Sequence, residues 1–566
     1  MDLLTRAKIL AQLILWRLTW DRRDTRAHHG VPGNPKFATA REAVARIPDG
    51  AVLMSSGLGG NARPSVLYWA IRESFEETGH PRDLTVMGIG GIGGRGRVPG
   101  TLEELGVEGL CRRFFSGHLE TFRAMLDLAE RGKLELQCLP QGVMALLLDA
   151  QGRGQTALET RTGVGTFMDP RVDRGSPVAP PGGPQFVAVE GDRLRYTMPL
   201  VTVAVFNLPA ADREGNLYAA GAAMIAESRE AARAARHNGG LVIANVGRLL
   251  DRAEGPIFLS SDEVDLVVVD PRTEQVGTVP HRRHWPLFTP ESDLSVDEGI
   301  ERLRFINRLL GLTPRRGPVE GALARLAASL LASRGRRRMF VNAGVGLPEE
   351  VCRLLHEGGL LEEVTLFTES GVLGGLPAPG VFFGASVCPR ELLSSAEVFK
   401  RCQERLDATI LGALEVDGLG NVNASRRGER TRDMVGPGGL IDLTAAASTV
   451  LFVTSWMKGG EIRLEQGALR IVSPGQPKFV PQVREITFCG KEALRANKEV
   501  FYCTNVGAFR LSPGGVELSC LMPGIDLRRD VLDACPMPIL LPESGEVPLI
   551  ETSVITGEGF RLTLPA

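Results

Sequence analysis

The chain has 566 residues, too many for one ordinary core, and its 43% apolar content with 67 glycines and only 5% aromatics fits a soluble α/β protein rich in glycine turns rather than a disordered or fibrous chain. Its 65 basic and 67 acidic residues leave a formal net charge of −2, so no global field draws it to nucleic acid or to an acidic surface, and an anionic ligand requires a local basic site. Nine scattered cysteines, an odd number with no C-x-x-C pair and no neighbouring histidine cluster, read as reduced thiols in a cytoplasm, with no metal site assigned.

Residues 1–35 form an N-terminal extension. Leu3 to Trp20 is strongly apolar but interrupted by Arg6, Lys8 and Arg17, which suits neither a spanning helix nor a signal peptide. Ile9, Leu13, Trp16 and Trp20 make one stripe at helical spacing, so the segment reads as an amphipathic helix that packs on the body, meets a partner chain or touches a membrane, the first two being favoured. Gly30, Pro32, Gly33 and Pro35 then mark a linker.

A first domain is expected over 36–285. From Phe37 to about Gly277, strands at Val52 to Met54, Leu84 to Met87, Leu200 to Phe206, Leu241 to Val246 and Val264 to Val269 alternate with helices at Pro64 to Thr78 and Glu227 to His237, the order of a largely parallel sheet with crossover helices. A long loop from Thr162 to Pro184 interrupts it at the sheet's edge. Residues 286–318 read as an interdomain connection with a helix at Val296 to Leu310. A second domain follows over 319–545, and 546–566 is a tail.

The two domains repeat one another. Val52-Leu-Met-Ser-Ser-Gly-Leu-Gly59 matches Met339-Phe-Val-Asn-Ala-Gly-Val-Gly346, Asp212-Arg-Glu-Gly-Asn216 matches Asp417-Gly-Leu-Gly-Asn421, and Leu84 to Gly94 superposes without gaps on Val364 to Gly374. The last match sets Ile89 opposite Glu369. Only the second copy carries a carboxylate there, delivered by an apolar strand into a turn whose glycines, Gly371 and Gly374, let another molecule approach. In the first copy, Asp49 to Pro64 is a strand, a glycine turn containing Gly57, and a proline opening a helix. Such a turn serves equally as an anion site or a plain strand-to-helix connection. It lacks the full G-x-G-x-x-G order with a following acid, against a nicotinamide cofactor.

Together these segments resemble the class I CoA-transferases, in particular the single-chain acetate/3-oxoacid and propionate branch, over residues 35–545. Thr368-Glu-Ser-Gly-Val-Leu-Gly374 is similar to the family's Ser-Glu-Asn-Gly signature, and Asp49-Gly50, Gly57 and Pro64 fit part of its N-terminal signature. Blocks at Leu139–Val143, Gly163–Arg171, His237–Gly240, Asn342–Pro348, Phe383–Ser386, Glu415–Asn421 and Gly436–Asp442 follow in the family's order. The resemblance implies two duplicated open α/β domains with mainly parallel sheets, acyl-CoA and small carboxylic acids as partners, and assembly as a homo-oligomer. Coenzyme A would be substrate and covalent intermediate, with no permanent cofactor.

It also implies Glu369 as nucleophile and the Gly438–Gly439 turn, placed before an expected Leu440 to Leu443 strand, as oxyanion donors. Gly57, Gln141, Gly371, Gly374, Gly384 and Ala385 are the candidates for holding substrate or CoA. A carboxylate nucleophile would attack an acyl-CoA to give a mixed anhydride, then take CoA as a glutamyl thioester. Asp169 and Arg171 read equally as a structural pair, and His118 as a structural hydrogen bonder. Relatives carry glycines where this chain has Gln403-Glu-Arg405, bulk and charge that would alter the acyl pocket or displace a loop. An acyl-CoA hydrolase using the same glutamate and a non-catalytic CoA-binding scaffold are the alternative readings.

Overall fold

The computed structural model describes residues 1–93, 98–253, 255–273, 286–311 and 313–565. Gly94 and Gly277, the expected ends of the first glycine run and of the first alternation, lie outside the described residues, as does the boundary expected at 285.

The first half is built on a sheet in the spatial order Leu266–Val269, Leu241–Leu250, Val203–Asp212, Val52–Ser55, Leu84–Gly88, Cys111–Ser116, Glu135–Cys138 and Pro177–Ala179. Neighbours are parallel except the final pair. Strands buried on both faces need near-continuous apolar runs, which Leu-Val-Val-Val at 266–269 supplies. The second half repeats the central part of this order with Glu499–Cys503, Thr449–Val453, Ala408–Leu411, Met339–Ala343 and Val364–Phe367, all parallel, flanked by antiparallel strands on both sides. The duplication is therefore a duplication of topology. It extends to a turn: Asp212 accepts the backbone N–H of Asn216 at 2.9 Å and its side-chain amide at 2.8 Å, and Asp417 does the same for Asn421 at 3.0 and 3.1 Å.

The sheets register one residue differently from the ungapped sequence match. Val52 lies beside Thr85, whereas its counterpart Met339 lies beside Val364. Counted along the strands, Gly90 rather than Ile89 reaches the level of Glu369, and neither carries a carboxylate.

Two expectations are corrected. Leu440–Ala446 is a helix, not a strand, with the Thr444 hydroxyl on the Leu440 carbonyl at 2.8 Å; the strand comes later, at Thr449–Val453. A short apolar run has no period that separates the two states. The Thr162–Pro184 region, expected as one long loop over the sheet edge, contains a strand, Pro177–Ala179, which adds to that edge antiparallel. Beside it, Ala157–Thr160, Val187–Glu190 and Arg193–Thr197 make a separate small sheet.

The connection contains the helix Val296–Leu310, capped by the Ser295–Glu298 box. Leu3–Thr19 is a helix whose Ile9 and Leu13 are buried against the body. No described helix is long and apolar enough to cross a membrane. One apolar core cluster runs through both halves, from Met87 and Leu148 to Phe367, Phe399, Leu440 and Trp456.

Candidate active site

Val364–Phe367 ends at the carboxyl edge of its parallel sheet, where open α/β sheets place their ligands. There Thr368 to Gly371 turn the chain into Val372–Leu373, closed by the Thr368 N–H on the Val372 carbonyl and the Gly371 N–H on the Thr368 carbonyl, both at 3.0 Å. Gly371 has φ +91°, and a side chain there would run into the Leu393 carbonyl. The Thr368 and Ser370 hydroxyls both donate to the Gly384 carbonyl, at 3.0 and 2.5 Å. Both neighbours of Glu369 are thus pulled inward, and Glu369 is the least buried of the three.

The Glu369 carboxylate accepts no hydrogen bond from another residue among the described residues. Part of the residue still reaches solvent, but the protein around the carboxylate is dense, and this loss of hydration raises its pKa above the usual glutamate value. A charge left unpaired in such a place is costly, and the arrangement keeps its lone pairs free for a ligand.

Gly439 faces it. A Cβ on Gly439 would stand 3.0 Å from Glu369 Cγ, 3.1 Å from Oε1 and 3.3 Å from the Phe399 ring, so only glycine leaves the carboxylate its room. Gly439 is the N-cap residue of the helix Leu440–Ala446, its carbonyl accepting from the Leu443 N–H at 2.8 Å, and its own N–H has no acceptor among the described residues. Gly438 is different: its N–H donates to the Gly117 carbonyl at 2.8 Å, and its carbonyl accepts from Gln141 N–H at 3.0 Å. The expected pair of oxyanion donors thus reduces to Gly439, with Gly438 fastening the two halves together.

Gln141 opens the helix Gln141–Gln151 of the first half. Its side chain is buried, and Nε2 has no hydrogen-bond partner among the described residues. That helix has no side-chain cap of its own. Asp442, from the other half, accepts the N–H groups of Gly142 and Val143 at 2.9 and 3.0 Å. Burial and the nearby Glu369 charge push Asp442 up to about 7, against the pull of these two donors. Asp442 and Phe399 were not singled out from the sequence. An Asp three residues past a Gly-Gly turn was the available signal, while nothing local marks Phe399.

Comparison with known proteins decides what this cleft belongs to. A family model described as coenzyme A transferase matches residues 37–254. Over 511 residues the chain is 32% identical to a caffeate CoA-transferase of Acetobacterium woodii, covering 88% of this chain and 93% of that protein. The chain belongs to the coenzyme A transferase family. It is also 29% identical over 525 residues to the acetate CoA-transferase YdiF of Escherichia coli O157:H7, covering 91% of this chain and 94% of that one. A crystal structure of the E. coli acyl-CoA transferase, described as a thioester complex with CoA, superposes with a TM-score of 0.80 at 27% identity, over 95% of this chain and 99% of that one. The protein is accordingly a CoA-transferase with a mixed α/β fold, acting on acyl-CoA.

In this transferase the other expected residues fall into two groups. Gly384 and Ala385 sit in the loop that anchors the Glu369 turn, and Gly374 follows the same turn, packed against Arg390. Gly57 packs its turn near them, since Leu58 meets Gly384, but its N–H points to the Glu227 carboxylate at 3.4 Å. Glu227 is wholly buried between Ser56 and Ser395, which raises it to about 7. Asp169 and Arg171 form a two-point ion pair at 2.8 and 2.7 Å and hold their own loop. His118 stands 3.8 Å from Glu120.

Gln403 to Arg405 are exposed and do not reach the cleft. They lie where the helix Ser395–Glu404 turns into the strand Ala408–Leu411, at the amino edge of the sheet, a strand length from Glu369. Arg405 is tied there to the Arg338 carbonyl and Asp407. Their bulk and charge are therefore placed at the amino edge of the sheet rather than at the Glu369 turn.

One cavity next to the Glu369 turn is rich in arginine. Of about 690 Å³, it is lined by Arg304, Arg315, Arg316, Arg325 and Arg353 together with Glu349 and Glu350, over an apolar floor that includes Leu376, Pro377, Phe382 and Val387, and Arg353 is paired with Glu350 at 2.8 Å and Glu357 at 2.5 Å. Among the described residues Arg304, Arg315 and Arg316 have no carboxylate partner, and Arg325 donates only to the carbonyls of Val554 and Ile555, both at 2.7 Å. The cavity and the loop that holds Glu369 share the 376–387 hairpin.

Proposed function

We propose that the protein moves CoA from an acyl-CoA to a short-chain carboxylic acid in a ping-pong cycle through a glutamyl-CoA thioester on Glu369. The ionised Glu369 oxygen attacks the thioester carbonyl, the C–S bond breaks, and CoA leaves as thiolate from a glutamyl–acyl anhydride. The thiolate then attacks the glutamyl carbonyl, the C–O bond breaks, and the first acid departs as carboxylate. The incoming acid reverses both steps, so no net proton, electron or water is consumed.

The observation that carries this reading is the pairing of an unbonded, desolvated carboxylate with the open N–H of Gly439 beside it. In this reading the Gly439 N–H donates to the oxygen on which negative charge builds in each tetrahedral step. The E. coli relative described as a CoA thioester supports the same assignment. Gln141 Nε2, buried without a partner among the described residues, is the proposed donor to the substrate carboxylate. The arginine cavity supplies the charge and the apolar floor that the phosphorylated end of CoA requires. Arg315→Ala with Arg316→Ala is expected to raise the KM for acyl-CoA roughly tenfold while kcat moves less.

The deciding experiment is intact-protein mass spectrometry after mixing the enzyme with acetyl-CoA and no acceptor, with peptide mapping after borohydride reduction. A CoA adduct on the intact protein, with Glu369 reduced to the alcohol in the mapped peptide, establishes the cycle, and acetate and caffeate then open the acceptor screen. Steady CoA release without an adduct would instead make the enzyme a hydrolase, and neither adduct nor release would remove catalysis from Glu369.

A further inference from the structure

The helix Leu3–Thr19 carries two apolar faces, of which the body uses one. Ile9 and Leu13 are 6% exposed and sit in the core cluster, and Trp16 and Trp20 are half-buried beside Trp69 and Arg63. Turned away from them, Leu3, Leu4, Leu10, Ile14, Leu15 and Leu18 are 44 to 82% exposed. At about 100° per residue, these six fall with Ala7 and Ala11 in a continuous arc of roughly 140°, opposite the buried stripe. So large an unbroken exposed apolar face calls for a partner.

The charges bordering that arc name the partner. On the same wheel Lys8 falls just beyond one edge and Arg6 and Arg17 just beyond the other. The helix contains no Asp or Glu. The Arg17 guanidinium stacks 4.6 Å from the Trp20 ring, and Trp16 meets Trp20 edge-on at 5.4 Å, which leaves a pair of indoles at the carboxyl end of the same helix. An apolar face with basic side chains along both borders is the pattern of a helix that lies in the headgroup region, its alkyl chains entering the acyl boundary and its cations on lipid phosphates. A second copy is a poor fit, because pairing two such faces sets one basic border against another.

We propose that Leu3–Thr19 docks this transferase in a peripheral, reversible manner on an anionic lipid surface. The inner stripe is fixed to the body, so the outer face is presented already ordered, and binding does not require the helix to form.

The test is vesicle flotation of the full chain with phosphatidylcholine alone and with phosphatidylglycerol added, at low and high salt. Flotation is expected with the anionic vesicles, weakened by salt. Ile14→Gln with Leu18→Gln should lower the bound fraction roughly tenfold. Arg6→Gln with Lys8→Gln should lower it about fivefold per charge removed. All four side chains are exposed, and CoA transfer between free substrates should be unchanged. Absence of flotation, or flotation equal in the Ile14/Leu18 variant, overturns the proposal. So does a fall in solution mass by light scattering in that variant, which would make the face a contact between copies.

Discussion

The two halves share five parallel strands in one order and the same Asp–Asn turn, yet at the carboxyl edge they diverge. In the first half Ile89 is buried in the core and Gly90 packs against Leu58; in the second, Glu369 stands with its carboxylate unbonded beside Gly439. Repeated backbone geometry therefore survives where the chain must turn, while the side chain at the edge is free to specialise. The halves have divided the labour: the second holds the carboxylate and the open N–H, and the first brings Gln141 and a helix end that Asp442 caps.

Removing the specialised group should have the largest effect. Glu369→Ala is expected to lower transfer roughly 10⁴-fold or more, measured as acyl-CoA turnover, and Glu369→Asp should also fail, since roughly 1.5 Å of lost reach spoils the attack. Melting temperature should hold or rise in the alanine variant, because the desolvated carboxylate has no partner to lose. A drop of many degrees would show that Glu369 is structural.

Copying the ungapped sequence match into the first half should not create a second site, since the strands set Gly90 rather than Ile89 at the level of Glu369. Ile89→Glu buries a carboxylate at a position 1% exposed, and a loss of about 3–5 kcal/mol in denaturant stability is expected, with no adduct on the new glutamate. Unchanged stability would mean that the first turn is far looser than its packing indicates.

Gly439→Ala places a methyl group 3.0 Å from Glu369 Cγ. It should reduce kcat about 10²-fold with little change in KM, the split expected when a group acts on the transition state. An equal rise in KM alone would assign Gly439 to ground-state binding.

The smallest effect sharpens the exchange across the halves. Asp442 has a folded pKa near 7 against an ordinary value of 3.8, so between these limits the folded state keeps a proton that the unfolded chain has released. Stability from this group is greatest below about pH 4, falls as the pH rises through that window, and is level above about 7. Asp442→Asn removes the slope and loses part of a helix cap worth about 1 kcal/mol. The stability advantage of the unsubstituted chain over this variant should therefore shrink from pH 4 to 7, and a flat difference in thermal melts would show Asp442 ionised throughout.

Much of this was legible in the chain itself. The parallel frame followed from the apolar runs and the duplication from Val52–Gly59 against Met339–Gly346, while Glu369 stood out as a candidate by its contrast with the first copy and by the family signature around it. What sequence could not supply was contact between distant segments. That Gly438 spends its N–H on Gly117, that Asp442 caps a helix some 300 residues away, and that Phe399 walls the carboxylate are tertiary facts with no local period. Leu440–Ala446 misled because a four-residue stretch with three apolar side chains suits either state, and Gln403–Arg405 because closeness to a motif along the chain was read as closeness to the cleft. The outer face of the first helix was hidden for a related reason, since the Ile9–Trp20 stripe already accounted for the segment.

The core that runs unbroken from Met87 and Leu148 through Phe399 and Leu440 to Trp456 has a thermodynamic consequence. Two sheets that resemble separate bodies share one apolar interior, and the polar ends of one are satisfied by the other. Neither half is then an independent foldon: heating should melt them in a single transition whose calorimetric and van't Hoff enthalpies agree, and the chain, double in pattern, behaves as one cooperative unit.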